Sequence, residues 1–332
     1  MATIRDVAKL AGVSVATVSA VINKKSGVKV SAKLTKKVES AIDELNYVPN
    51  RIARSLSKRE NNTLGYIVPS ITNQFFPQLA KVVEDIAFKN DYGVYLCNTD
   101  GQKERAQYYL DSLIENRVAG VITTLTWEIE EISFIEKILS QNIPIVGLAG
   151  ARNNSNIDTV TCDDVEGTRQ ALRYLSKKGY KNIAFIGIEN SQTTKLRLKG
   201  YKKGLIDSGI CYNKDLVRFS TGFDKSEIKG LVKEMINSSP DIDAVFVFND
   251  IMGAGVIDAL YQCGRKVPED IAVMGFDDSI AQYTFPKMTT MSIPKSEMAN
   301  QAMEILFKRI NGDMSKLSHI KVRSELKERN TS

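Results

Sequence analysis

The sequence of 332 residues predicts a small all-α head followed by a two-lobed α/β domain built on parallel sheets. Residues 3–47 contain three capped segments with apolar residues at helical spacing. From residue 63 onward, short β-rich runs alternate with helix-length segments in two series, separated by the stretch GARNNSNIDTVTCDD. A chain of this length is expected to form about two or three domains.

The head begins with helices whose ends are marked by small polar residues and glycine. Thr3, with Asp6 three residues later, forms a variant of the capping box, and Gly12 ends this first helix. Ser14 caps a second helix and Ser31 caps a third. Two short helices joined by a tight turn predict a helix-turn-helix domain over residues 1–47, whose second helix enters the DNA major groove.

The second helix has one apolar face and one face of small side chains. The predicted core of the head consists of Val7, Ala8, Val18, Val21, Leu34 and Val38. The opposite face of the second helix spans an arc of about 140° and holds Val15, Ala16, Ser19, Ala20 and Asn23. Such a face fits closely against a grooved partner or against another helix, and the pattern alone leaves both open.

The distribution of charge favours a polyanionic partner for the head. Residues 1–60 contain 12 Lys and Arg against 5 Asp and Glu, whereas the remainder of the chain has a net charge of −1. Positive charge concentrated in one small folded segment is typical of nucleic-acid binding, because contacts to phosphates release counterions. A solvated basic tail is the alternative, but tails lack capped helices with apolar periodicity.

The alternating runs predict two lobes that face each other across a cleft. Ligands in open α/β sheets bind beyond the carboxyl ends of the strands. Asn73, Phe75 and Phe76 follow the first run, and the two aromatic rings are expected in a loop, where they would stack on a sugar or base or else join the core. Asn249 and Asp277 end later runs, where an amide and a carboxylate suit a polyol; helix capping is the alternative.

Several classes of protein are disfavoured by what the sequence lacks. The four cysteines match no metal or redox spacing, and His319 is the only histidine, so no metal site, catalytic residue or cofactor is predicted. No Gly-x-Gly-x-x-Gly follows a strand. No run approaches the about 18 apolar residues of a membrane span, so we expect a cytoplasmic protein without membrane contact.

The head and the α/β region both resemble the LacI/GalR family of bacterial transcription regulators. The segments TIRDVAKLAGVSVATVS and VINKKSGVKVSAKLTKKVESAIDELNYVPNRIARSL are similar to the family's head. VPSITNQFF, RLKGY, FNDIMGAGVIDAL and GRKVPEDIAVMGFDDS are similar to its effector domain, which is periplasmic-binding-protein-like. The resemblance implies a hinge helix and linker over residues 48–61, one lobe of residues 62–161 plus 293–325, and a second lobe of residues 162–292.

The resemblance also implies contacts with a double-stranded DNA operator that is bound by a homodimer. Val15 and Ala16 would touch base edges, and Thr17 and Ser19 would contact phosphates or the groove, whereas Ala20 stands where relatives usually carry arginine or histidine. Leu56 of the hinge would wedge into the minor groove. The remaining expected DNA-binding residues are Thr3, Ser14, Asn23, Asn50, Ala53 and Arg54.

For the cleft, the resemblance implies a small-molecule effector such as a sugar, a sugar derivative or a nucleobase-like compound. Arg197 corresponds to the family's ligand-gripping arginine, with a helix-surface salt bridge as the alternative role. Phe223 is a further aromatic candidate. Thr124 is a further expected ligand-binding residue. Thr124 and Ala149 stand where some sugar-binding relatives have asparagine and aspartate, which weakens the sugar interpretation.

Two other functions are weighed against this one. Catabolite-control relatives are regulated by a phosphocarrier protein, but Ser296 and Glu304 replace the aromatic and basic residues that those relatives present. An enzyme acting on its ligand is the alternative of a different class. It is disfavoured because the sequence offers no nucleophile–base pair and no metal ligands.

Overall fold

The computed structural model describes residues 2–22, 30–48, 61–125, 132–150 and 156–332. The chain divides into two compact units, residues 1–61 and residues 62–332. The predicted fold class, an all-α head followed by a two-lobed α/β domain, is confirmed.

The head contains three helices, and the caps that the sequence predicts are present. The helices are α1 (Ile4–Ala11), α2 (Val15–Ile22) and α3 (Ala32–Glu44). Thr3 and Asp6 form the reciprocal capping box, and Gly12 ends α1 in the left-handed conformation at a φ of 66°. The Ser31 hydroxyl accepts the N–H of Leu34 at the start of α3.

The core of the head is built mainly from the residues that the spacing predicts, with one exception. Val7, Val18 and Val38 are fully buried, Ala8 is nearly so, and Val21 is half-buried against them. Leu34 was predicted in this core but is 37% exposed. Leu34 lies in the first turn of α3, where no residue is buried, whereas the buried residues Val38 and Ala41 lie one and two turns further along the helix. The core contains Ala11 and Ala41 instead.

The α/β unit contains two six-stranded sheets, one for each lobe. The first sheet has the strand order β11-β5-β4-β3-β1-β2, and the second has the order β12-β10-β9-β8-β6-β7. Neighbouring strands run parallel except β12, which pairs antiparallel with β10. The first-sheet strands are β1 (Thr63–Val68), β2 (Gly93–Asn98), β3 (Gly120–Leu125), β4 (Ile145–Gly150), β5 (Asp158–Cys162) and β11 (His319–Val322). The second-sheet strands are β6 (Ile183–Ile188), β7 (Val217–Ser220), β8 (Ala244–Val247), β9 (Ala272–Asp277), β10 (Thr289–Ser292) and β12 (Glu325–Lys327).

Helices connect the parallel strands and cover the two sheets. The first lobe carries α4 (Phe75–Lys89), α5 (Lys103–Glu115), α6 (Ile132–Ser140) and α11 (Lys295–Ile310), and the second carries α7 (Asp164–Lys177), α8 (Gln192–Asp207), α9 (Lys225–Ser238) and α10 (Asp250–Gln262). Among the described residues, no helix is both long and apolar enough to cross a membrane.

The chain passes between the two lobes three times, after β5, after β10 and after β11. Cys162 lies in the first sheet and Glu325 in the second, so the lobe boundaries expected at these two residues each shift by one position.

Strand β5 lies inside the stretch that the sequence suggested was a break. All five of its residues are buried, including Asp158. Arg309 of α11 binds this carboxylate through Nε at 2.8 Å and through a second guanidinium nitrogen at 3.0 Å. A polar strand can be buried here because its carboxylate has a charged partner.

Candidate nucleic-acid interface and ligand cleft

Helix α2 presents its small side chains where a partner can reach them. Val15 is 42% exposed and Ala16 is also exposed, whereas Ser19 and Ala20 are half-buried. Val18 on the opposite side is fully buried. The apolar face of α2 is therefore used by the head's own core, and the small-residue face predicted from the sequence remains accessible.

The start of α2 is held by its cap. The Ser14 hydroxyl accepts the N–H of Thr17 at 3.1 Å and lies 2.9 Å from the Thr17 hydroxyl. Thr3 caps α1 in the same way and is exposed; its hydroxyl and backbone N–H lower the pKa of Asp6. Exposed hydroxyls at helix N-termini are suited to phosphate oxygens. The expected DNA contacts of Asn23, Asn50, Ala53, Arg54 and Leu56 lie outside the described residues.

The candidate ligand cleft lies between the two sheets of the α/β unit. It is a cavity of about 690 Å³ lined by residues from both lobes. All of the predicted ligand-binding residues line it: Asn73, Phe75, Phe76, Thr124, Arg197, Phe223, Asn249 and Asp277. The sequence therefore identified side chains that share one cavity, while their roles toward a ligand stay predictions.

The wall from the first lobe is aromatic and follows β1. The Asn73 side-chain oxygen accepts the N–H of Phe75 at 3.1 Å, which fixes the entry into α4. The sequence predicts that Phe75 and Phe76 lie in a loop, and this prediction is wrong, because they are the first two residues of that helix. Their rings meet edge to face with centroids 5.2 Å apart. Phe75 is buried and Phe76 half-buried, so Phe75 also belongs to the core.

The ends of β3 and β4 also line the cavity on the side of the first lobe. Thr124 is 3% exposed and lines the cavity. Ala149 has a φ of 65° and Gly150 a φ of 87°, so the backbone turns sharply where relatives were expected to present a longer polar side chain. The methyl group of Ala149 leaves this part of the cavity apolar.

Arg197 contacts several of the residues that form the second lobe's side of the cavity. Its Nε donates to the Asp164 carboxylate at 2.8 Å, and another guanidinium nitrogen donates to the Phe248 carbonyl. The guanidinium carbon lies 3.7 Å from the centroid of the Phe276 ring. Arg197 is only 5% exposed, so its ion pair is buried and the helix-surface alternative is wrong. Burial raises the pKa of Asp164, and the Arg197 charge opposes this rise.

Asn249 follows β8 by two residues, and Asp277 is the last residue of β9, at the same edge of the second sheet. The Asn249 side-chain oxygen accepts the N–H of Met252 at 3.0 Å, so the expected capping role is confirmed; Asn249 also lines the cavity, and its contact with a polyol stays a prediction. Asp277 is 5% exposed and accepts the N–H of Ser279 at 2.9 Å. It caps no α-helix, because a turn and a short 3₁₀ segment follow it.

A second carboxylate lies directly behind Asp277. Asp250 is fully buried and accepts the Thr290 hydroxyl at 2.6 Å and the Ser279 N–H at 2.7 Å. Burial raises the pKa of Asp250, and the nearby charge of Asp277 raises it further. Burial also raises the pKa of Asp277.

Sequence reasoning missed two residues that define the cleft. Asp164 follows β5, and because the polar sequence of that strand suggests a break in the pattern, nothing local marks the acidic residue as lying beyond a strand end. Phe248 sits between β8 and Asn249, and its ring lies 6.3 Å from that of Phe223. Strand-end logic applied one residue earlier would have found Phe248.

The charges that line the cavity are mostly negative. Asp164, Glu189 and Asp277 line it, and among the described residues Arg197 is its only cationic lining residue. Since Asp164 already pairs with Arg197, the remaining lining charge is that of the two other carboxyl groups.

Comparison with known proteins gives matches over both parts of the chain. The model of the lacI family of bacterial regulatory proteins matches residues 3–50, and that of the periplasmic binding protein-like domain matches residues 172–332. The ribose operon repressor of Escherichia coli K12 is 37% identical over 320 residues, covering 93% of each chain.

Two solved structures are similar along most of the chain. The lac repressor dimer bound to operator and an anti-inducer has a TM-score of 0.88 and 26% identity, covering 99% of this chain and 98% of that one. A LacI family regulator from Enterococcus faecium with bound ribose has a TM-score of 0.73 and 27% identity, covering 81% and 98%.

Proposed function

Because the chain belongs to the lacI family of bacterial regulatory proteins, we propose that it binds a two-fold symmetric operator as a homodimer under the control of a neutral, hydroxyl-bearing effector. Helix α2 of each copy would read one half-site. The effector would occupy the cavity between the lobes, and its occupancy would change the affinity for the operator.

The observation that carries this proposal is the convergence of Arg197, Asn249 and Asp277 on one cavity with aromatic walls. A guanidinium, an amide and a carboxylate together donate to and accept from hydroxyl groups, and phenylalanine rings cover the apolar face of a sugar ring. The predominance of acidic lining groups disfavours a phosphorylated ligand, because its charge would meet Glu189 and Asp277. The ribose bound to the Enterococcus relative is a neutral polyol of this kind.

The DNA-binding part of the proposal rests on α2 and on charge. The small side chains of Val15 and Ala16 are exposed, and the first 60 residues carry the chain's excess of positive charge. The lac repressor, which is similar over nearly the whole chain, was solved as a dimer on its operator.

A thermal-shift screen tests the effector class. The probes are D-ribose, cellobiose, ribose 5-phosphate, guanosine and hypoxanthine, applied to the wild type, to Arg197→Met and to Arg169→Met. Arg169 is the matched control, because it is a half-buried arginine of the same lobe that does not line the cavity and pairs with Asp207 and Glu166.

We expect a neutral sugar at about 100 times its Kd to raise Tm by about 5 °C in the wild type and in Arg169→Met, but not in Arg197→Met. An equal shift in Arg197→Met would show that the ligand binds elsewhere. A shift with ribose 5-phosphate but not with ribose would overturn the neutral ligand class.

A further inference from the structure

One lysine joins the two lobes beside the cleft. Lys295 is the first residue of α11 and follows the passage from β10 of the second sheet. Helix α11 packs against α4 and against strands of the first sheet. The Lys295 side chain nevertheless turns back to the second lobe, where Nζ donates to the backbone carbonyl of Asp277 at 2.7 Å and to that of Asp278 at 3.2 Å.

The position of this lysine is not explained by helix stability. The N-terminus of a helix carries a partial positive charge, so an ammonium group in the first turn is electrostatically unfavourable. Lys295 is also half-buried, and burial lowers the pKa of its amine against the opposing carboxylates of Asp277, Asp278 and Asp250. Together with these carboxylates, the two carbonyls at the end of β9 offset both costs by accepting hydrogen bonds from the ammonium group.

Those carbonyls belong to a backbone turn that non-glycine residues rarely adopt. Asp277 has a φ of 100° and Asp278 a φ of 52°, two left-handed residues in succession. Such conformations persist only where the surroundings hold them. Asp278 is held through its carboxylate, which pairs with Arg329 at 2.7 Å, and the carbonyl groups of the turn are held by Lys295.

The first lobe contacts the same turn through a second side chain. Gln78 of α4 donates from Nε2 to the Ser279 carbonyl at 2.9 Å. The turn formed by residues 277–279 is thus held by side chains from two helices of the first lobe, although it belongs to the second. Lys295 also lies 5.7 Å from the ring centroid of Phe75, which lines the first-lobe wall of the cavity.

We propose that Lys295 is a positioning residue for effector binding, which orients the Asp277 carboxylate toward the cavity and ties its turn to the first lobe. This inference rests on the proposed function, in which Asp277 contacts the effector. Removal of the ammonium group leaves two carbonyls without their charged donor, so the turn relaxes and the carboxylate loses its fixed direction.

The test measures the Kd of D-ribose by calorimetry for the wild type and for Lys295→Met, Lys295→Arg and Lys308→Met. Lys308 is the matched control, because it lies on the same helix and forms an exposed pair with Glu304. We expect Lys295→Met to raise Kd about tenfold or more, Lys308→Met to leave it within twofold, and Lys295→Arg to recover most of the affinity. When Asp277→Asn is already present, adding Lys295→Met should raise the Kd of D-ribose by less than a further factor of two.

Two outcomes overturn the inference: a Lys295→Met affinity within twofold of wild type, or a loss of the same size with and without Asp277→Asn. Hydrogen exchange of the Ser279 and Ile280 amides in the ligand-free full chain gives a second measurement. These amides donate to the Asp250 carboxylate, and we expect them to exchange at least tenfold faster in Lys295→Met only.

If the wild type binds neither D-ribose nor the other sugars and bases of the screen, the proposed effector fails, and the exchange rates alone decide whether Lys295 holds the turn. Unchanged exchange in Lys295→Met would then contradict the inference directly.

Discussion

Replacement of Ala20 by arginine should give each half-site a new base preference. Ala20 lies on α2 one turn beyond the exposed Ala16 and is half-buried. A methyl group can contact a thymine methyl but cannot donate to guanine, whereas arginine donates to O6 and N7 together. A side chain rooted at a half-buried position can extend its stem along the helix and place its charged end in the groove.

The expected magnitude is that of a single bidentate hydrogen-bonded pair in each half-site. One arginine–guanine pair of this kind discriminates by about 1–3 kcal/mol, which corresponds to about a 5- to 150-fold preference for G at the facing base pair. The wild type should tolerate several bases there, since Ala20 supplies only shape and methyl contacts. Lys36→Arg serves as the control, because it introduces an arginine at an exposed position of α3 rather than on α2; it should leave the selected sequence unchanged.

The assay is selection from a randomised DNA pool, performed on the wild type and on both variants at one salt concentration. A G preference that appears only in Ala20→Arg supports docking of α2 in the major groove. This docking is refuted if the wild type already requires one base at that position, or if the arginine variant selects the same profile as the wild type.

Three further changes have defined outcomes. Leu56→Ala should lose affinity for the operator while keeping most of its affinity for random DNA, because a minor-groove wedge stabilises only the kinked complex; equal losses in a gel-shift titration would argue against this role. Arg309→Met should lower the free energy of unfolding by about 3 kcal/mol and Tm by about 6–12 °C, because the Asp158 carboxylate stays buried without its cationic partner. The control Lys308→Met removes an exposed ion pair and should change Tm by less than about 1 °C. Burial raises the pKa of Asp250 in the folded chain, so the folded chain keeps a proton there that the unfolded chain releases near pH 4. The free energy of unfolding therefore falls as the pH rises above that value. Asp250→Asn should make this fall shallower when Tm is measured against pH, and parallel curves for the two proteins would contradict the prediction.

The features that the sequence predicts well are those fixed by local chemistry. The caps at Thr3, Ser14 and Ser31 follow from side-chain oxygens that bind backbone N–H groups within three residues. Asn249 and Asp277 could be located because apolar strands end at or just before them and because parallel strands end at one edge of the sheet.

The features that escaped prediction depend on contacts between distant segments. Strand β5 is polar in sequence, and its burial requires Arg309, which lies 151 residues away. Three of the four edge strands, β7, β11 and β12, are short and partly exposed, so they lack the continuous apolar pattern of the central strands. The unusual backbone at Asp277 and the return of Lys295 to it have no local signature in the sequence.

The central claim is that a ligand bound in the cleft changes the affinity for the operator. The most direct test measures the affinity of the wild type and of Arg197→Met for the selected operator, with and without D-ribose. Fluorescence anisotropy at fixed salt gives both dissociation constants. We predict that D-ribose changes the wild-type Kd by about fivefold or more, in either direction, and leaves the Arg197→Met value unchanged. An operator affinity that is insensitive to every ligand that binds the cleft, or an equal response in Arg197→Met, would contradict it.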